Sequence, residues 1–299
     1  MEIIIGVGSH TRSLDSVALG LAIASTIDAT PVIANVYPTA FDFPGQGHVD
    51  AEWQAFLIER AEETLVWIRD QIGNRQGIEY AMTGHRSSGA GLAKIAVDRD
   101  ASMIVIGSSY NASEGRIGCG STADKLLHGS PVPVALAPFG YYEWAPELLH
   151  HVVLAYRKTP ESDHALKIVT DTFLKRPVHS KIGLNLVTII ERHTRVYGSR
   201  LGSSAETLVV EAARQQALEA LHVAQSRIPE GLVETTSELL EGDNVVSALA
   251  KFDWHDDDIF VAGSSGGRAL RRVFLGDMTY KLLRGSQLPV VIIPSGAEV

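Results

Sequence analysis

The sequence predicts an α/β protein made of two similar doubly wound domains, each with a five-stranded parallel sheet. Three observations carry that expectation. The chain repeats itself: shifted by 156 positions, Gly107–Pro138 aligns without a gap on Gly263–Pro294, with 13 of 32 positions identical. Average residue usage would give about two. Short Val/Ile/Leu runs have the length and composition of strands buried on both faces. Helical periodicities alternate with those runs, so right-handed crossovers wind each half into a parallel sheet. The length of 299 residues agrees, at about 150 per domain.

In the first half, IIIGVG (3–8) reads as a strand, and Leu14, Val17, Ala18, Leu21 and Ala22 mark one face of a helix. PVIANVYP (31–38) is the second strand. After a Pro/Gly loop, Trp53, Phe56, Leu57, Ala61, Leu65, Ile68 and Ile72 recur at helical spacing. Strands at 77–84, 102–109 and 132–138 alternate with helices at 88–99 and 120–129. The second half repeats the order. Its strands are expected at 151–156, 182–190, 232–240, 258–263 and 289–293, and its helices at 161–175, 204–227, 243–252 and 277–285. The aromatic segment 139–150, with Pro146, reads as the connection between the halves, packing its rings between them. The expected division is a first domain over 1–140, a linker over 141–150 and a second domain over 151–299.

Composition narrows the function. Twenty-six basic residues against 35 acidic ones leave a net charge of −9, which argues against a nucleic-acid binder. Cys119, the one cysteine, excludes an internal disulfide, and the N-terminus has no signal-peptide pattern. No apolar run approaches the roughly 20 residues of a membrane span. The expectation is a cytoplasmic protein without membrane or nucleic-acid partners.

In open parallel sheets, ligands bind beyond the carboxyl ends of the strands where strand order reverses. The loop after the fourth strand of each half is glycine-rich and leads into a helix, so backbone N–H groups and the helix dipole can hold an anion there. The second-half loop carries Gly263, Gly266 with its neighbour Gly267, and Gly276, with Arg268, Arg271 and Arg272 between them as phosphate donors. The first-half loop has Gly107, Tyr110 and Gly120, followed by Ser121 and Thr122, whose hydroxyls suit a phosphate or a helix cap. The glycine-complete loop with three arginines favours the second half.

The order of elements, the Gly-x2-Gly-x9-Gly spacing, the Lys-Leu-Leu after it and the closing Pro-Val strand together resemble the universal stress protein family. The resemblance covers both halves, in the tandem form. It implies a Rossmann-like fold, a role in the stress response and dimer contacts through the last strand. It also implies a division into ATP-binding and non-binding branches. In the ATP-binding branch an aspartate ending the first strand contacts the adenosine portion, and the matching positions here are Gly8 and Arg157. Tyr110 replaces a loop glycine and is expected to crowd a phosphate. Asp277 stands where Ser or Thr belongs, repelling phosphate by about 1–4 kcal/mol while capping the helix. Arg157 is positioned to reach a phosphate instead of the base.

The expected function is therefore a regulatory binding module that takes ATP, another adenine nucleotide or another anion at a degenerate loop. One alternative is a ligand-free dimeric scaffold acting through protein partners, in which the apolar last-strand edges VPVALAP and LPVVIIP pair either between the two halves of one chain or between chains. Another is a slow nucleotide hydrolase, for which Asp277 and Glu114 are the loop carboxylates available. No Walker-type GKS/GKT occurs and no general base is recognisable, so a binding protein ranks ahead of an enzyme. His255-Asp256-Asp257-Asp258 reads as a solvated turn, because neighbours on an extended segment point apart. His150-His151 reads as exposed, Cys119 as a passive small residue, and no metal is expected.

Overall fold

The computed structural model describes residues 1–8, 11–39, 48–175, 182–191, 203–264 and 277–294. In the first half they form β1 (Glu2–Val7), α1 (Ser13–Ile27), β2 (Thr30–Tyr37), α2 (His48–Ile72), β3 (Glu79–Gly84), α3 (Ser88–Asp98), β4 (Met103–Gly107), α4 (Ser121–Gly129) and β5 (Val134–Ala137). The second half follows with β6 (His151–Ala155), α5 (Pro160–Val169), β7 (Gly183–Glu191), α6 (Ser203–Ser226), β8 (Thr235–Gly242), α7 (Val245–Leu249), β9 (Asp258–Gly263), α8 (Asp277–Gly285) and β10 (Val290–Ile293). Every expected element is present. A π-helical turn, Thr170–Leu174, prolongs α5. The one marked shortening is α7, which starts only after Asn244 and Ser247 close a reciprocal capping box.

The two expected sheets are joined into one. Ten strands run in the order β3-β2-β1-β4-β5-β10-β9-β6-β7-β8. Pairing is parallel within each half, and the halves meet where β5 and β10 pair antiparallel. At the centre of that seam Val291 lies opposite Ala135. These two are the same position of the 156-residue repeat, so a local two-fold axis relating the halves passes between them. Tyr280 and Asp124, also repeat equivalents, hydrogen-bond across the same axis at 2.8 Å. Arg116 donates to the carbonyl of Gly285 at 3.2 Å, tying the first-half loop to the end of α8. A homodimer through last-strand edges therefore has no edge left to use, because β5 and β10 satisfy each other within the chain.

The strands are apolar throughout because helices cover both faces. Ile3, Ile5 and Ile33 point to the layer that holds α1, α2, α5 and α6. Ile4, Val32 and Ala34 point to the layer of α3, α4, α7 and α8. Both layers cross the seam, so each core face is shared by the two halves. Full burial of each Ile contributes about 1.5–3 kcal/mol.

The connecting segment lies along α1. Tyr141 is fully buried in the first layer, with its ring edge-on to Trp144 at 4.4 Å between centroids. The Asp15 carboxylate accepts the backbone N–H groups of Gly140 at 3.1 Å and Tyr142 at 2.9 Å. One helix length further on, the Leu149 N–H donates to Thr26 Oγ1 at 2.9 Å. Among the described residues no helix is long and apolar enough to cross a membrane.

Candidate functional site

Strand order reverses between β1 and β4, and a cavity of about 290 Å³ opens there at the carboxyl ends of the strands. Its size is near the lower end of small-molecule sites. Gly6, Gly8 and Gly107 form its floor, and Arg12, Ser13 and Thr122 stand around it. The glycines are needed for close approach. A Cβ on Gly6 would lie 2.6 Å from Leu92 Cδ1, and one on Gly107 would lie 3.3 Å from the Arg12 carbonyl oxygen.

The β1–α1 turn is built by hydroxyls. Ser13 Oγ accepts from the Gly8 N–H at 2.8 Å, and Ser16 Oγ donates to the Gly6 carbonyl at 2.9 Å. Arg12 spans the mouth: its guanidinium donates to the carbonyls of Ser109, at 3.0 Å, and Tyr110. It also lies 3.7 Å above the Phe139 ring. Two helix N-termini meet this cavity with no side chain capping them, α1 after Arg12 and α4 after Gly120. By contrast α3, α5 and α7 are capped by Ser87, Thr159 and Asn244. The uncapped ends direct the partial positive charge of the helix dipoles toward the cavity.

The first-half loop satisfies much of its own backbone. The Ser109 N–H donates to the Gly118 carbonyl at 2.8 Å, and the Gly115 N–H to the Phe139 carbonyl at 2.9 Å. Tyr110 borders the cavity with 75% of its surface exposed. Its ring lies beneath the Arg12 guanidinium, at 5.0 Å to the ring centroid. Of the first-half positions singled out from the sequence, Gly8, Gly107 and Thr122 line the cavity, whereas Gly120 and Ser121 do not. Arg12, Ser13 and Ser16 were not singled out. Their place just past the first strand is the signal that would have found them.

In the second half, register supports the equivalence of Gly8 and Arg157. Ile5 pairs with Val105, and Leu154 pairs with Val261, the repeat equivalent of Val105. Three residues on from Ile5 and Leu154 stand Gly8 and Arg157. The Arg157 N–H donates to Ser162 Oγ at 3.1 Å, matching Gly8 with Ser13. The exposed Arg157 side chain reaches the Ile189 carbonyl at 3.4 Å. At the end of β7, Glu191 accepts from the Val245 N–H at 3.2 Å, so a carboxylate already occupies the α7 N-terminus. Gly266, Gly267, Arg268, Arg271, Arg272 and Gly276 lie outside the described residues, as does the Asp277 side chain.

Gly107 and Gly263 hold the same repeat position under different pressure. A Cβ on Gly263 would lie 2.7 Å from the Glu161 carbonyl oxygen, which is backbone and does not yield. Gly263→Ala is expected to cost about 1–3 kcal/mol, and Gly107→Ala no more than about 1 kcal/mol. Chemical denaturation of the two variants checks this. Equal costs would show that the α5 backbone does not rest on Gly263.

The exposed Cys119 does not carry a stabilised thiolate: surrounding protein, then the Asp124 carboxylate, push its thiol above the ordinary value. The solvated-turn expectation holds for the exposed His255 and Asp256, but Asp258 is 1% exposed and begins β9 beside His151.

The fold and the cavity define a class: a doubly wound α/β protein, duplicated, with a pocket where such sheets take ligands. A family model described as the universal stress protein family matches residues 1–138 and again 149–294. The chain belongs to that family, in tandem form. Universal stress proteins of Mycobacterium tuberculosis and Mycobacterium bovis are each 28% identical over 300 residues, covering 98% of this chain and all of theirs. Among solved structures, a universal stress protein of Archaeoglobus fulgidus superposes with a TM-score of 0.64 at 18% identity, over 99% of this chain and 98% of that one. A functionally unknown protein of Pseudomonas aeruginosa gives 0.55 at 12% identity, over 99% and 92%. At such identities the likeness concerns the fold.

Proposed function

We propose that this chain is a regulatory binding module of the stress response that takes an adenine nucleotide, or a smaller ligand bearing an anion, in the first-half cavity. The observation that carries the reading is the convergence of two uncapped helix N-termini and Arg12 on a glycine-floored cavity at the switch point. Arg12 is the anion clamp. Its hydrogen bonds go to two carbonyls, which a phosphate can replace with a charge-assisted pair. The degenerate feature is Gly8, where the ATP-binding pattern has aspartate. An added Cβ there meets nothing closer than Ser13 Oγ at 4.0 Å, so the backbone leaves room for a side chain. Residues 1–140 and 151–299 act as the two domains, joined through 141–150.

The test is the mass of the protein purified without added nucleotide, native and denatured, followed by titration with ATP and AMP. A non-covalent adduct of nucleotide mass, or saturable binding, is expected. Arg12→Ala should weaken that binding about ten- to a hundredfold, the worth of a hydrogen bond to a charged group, and Gly8→Asp should strengthen it for ATP. A clean apo mass with no thermal shift in millimolar ATP would overturn the reading. It would favour a scaffold, a reading supported by the internal satisfaction of the 108–120 loop.

A further inference from the structure

We propose that the amino-terminal ends of β6 and β9 hold a divalent transition-metal ion between His151, Asp257 and Asp258, in the second half of the chain and outside the first-half cavity. Parallel pairing places His151 directly beside Asp258. His151 Nδ1 lies 3.3 Å from Asp258 Oδ1 and 3.9 Å from Asp257 Oδ1. All three ligand atoms fall within 4.8 Å of one another. Metal bonds of about 2.0–2.2 Å at tetrahedral angles set ligand atoms about 3.3–3.6 Å apart. A small rotation of the half-exposed Asp257 carboxylate closes the set.

The atoms facing this point are unsatisfied. Asp258 is 1% exposed, yet its Oδ1 makes no hydrogen bond, and neither does the shielded Nδ1 of His151. The other Asp258 oxygen accepts from the His255 N–H at 2.9 Å, which fixes the carboxylate with its unpaired oxygen toward His151. Gly183 cradles the imidazole: a Cβ there would lie 2.6 Å from His151 Cδ2. The ring thus turns its Cδ2 edge toward the start of β7, with Nδ1 near the two aspartates. Asp257 in turn has its second oxygen 2.9 Å from His150 Nδ1, an outer partner of the kind that orients a metal-bound carboxylate. His255, its ring centroid 6.0 Å from that of His151, is within a side-chain rotation of a fourth position.

The donor chemistry selects the ion. One or two imidazoles with two carboxylates suit Zn²⁺, Mn²⁺ or Ni²⁺ rather than the all-oxygen cages of Mg²⁺ and Ca²⁺. A bound cation also offsets the repulsion of adjacent carboxylates, one of them buried. Because the ligands come from two strands, the ion would clasp β6 to β9 beneath the point where the connecting segment enters the second half.

The test is calorimetric titration of the tag-free full chain with Zn²⁺ after chelator treatment. One equivalent per chain is expected, with a rise in thermal midpoint on loading. His151→Gln and Asp257→Asn should each weaken binding about a hundredfold, while His128→Gln, at the end of α4, leaves it unchanged. Both sensitive positions are partly exposed, and far-UV circular dichroism of the apo variants confirms that they fold. Absence of saturable one-to-one binding would overturn the proposal, and so would affinity unaltered in both variants. In either case the cluster is a contact of His151 with its aspartates and no metal site. Saturation by Mg²⁺ but not Zn²⁺ would overturn the choice of ion.

Discussion

Val291→Asp is expected to destabilise the protein by about 4 kcal/mol or more, the range reserved for a charge placed in a core without a partner. Val291 is 1% exposed at the middle of β10 and pairs with Ala135 across the antiparallel seam. Its side chain enters the layer shared by α1 and α5. No described cation lies there to meet a carboxylate. The control is Val66→Asp on α2, where the side chain is 52% exposed and the expected change is within about 0.5 kcal/mol. Chemical denaturation measures both. A cost below about 1 kcal/mol for Val291→Asp would mean that the seam does not form.

The second large effect concerns Asp15. Asp15→Ala is expected to cost about 2–4 kcal/mol, because two backbone N–H groups, of Gly140 and Tyr142, lose their acceptor at a site 4% exposed. The carboxyl group also carries a pH signature. Burial raises it above its ordinary value of 3.8, against the lowering pull of the Tyr142 and Gly140 N–H groups and of Arg12. A group that holds its proton more tightly when folded contributes stability that is fully present below the unfolded value. That contribution is lost as pH rises through the folded value. Wild-type stability should therefore fall, relative to Asp15→Asn, as pH climbs from about 4 through the raised value. Thermal midpoints of the two proteins across that range measure the difference. A difference that does not change with pH would show that Asp15 is ordinary in the folded state.

Much of the fold was legible because its signals are local. Continuous runs such as IIIGVG and VVII record burial on both faces, and Leu14, Val17 and Leu21 record one helix face. The cavity was half legible. Gly107 and Thr122 follow from the loop pattern, but Arg12 and Ser13 belong to a turn whose role depends on what it folds against. The His/Asp cluster was read as two separate surface features, since each segment alone does point its side chains apart. Only the β6–β9 register makes His151 and Asp258 neighbours.

By itself, then, the sequence determined that the protein is a duplication, which elements each half contains, in what order, and that helices cover both faces of the strands. These depend on residue periodicity and composition within windows of a few turns. The tertiary structure alone decided that β5 pairs with β10 in the same chain, that two uncapped helix ends and Arg12 share one cavity, and that a buried carboxylate faces a histidine where β6 and β9 begin. Each of these is a pairing across many residues, set by strand register and helix docking, and no local pattern encodes the distance at which two such groups come to rest.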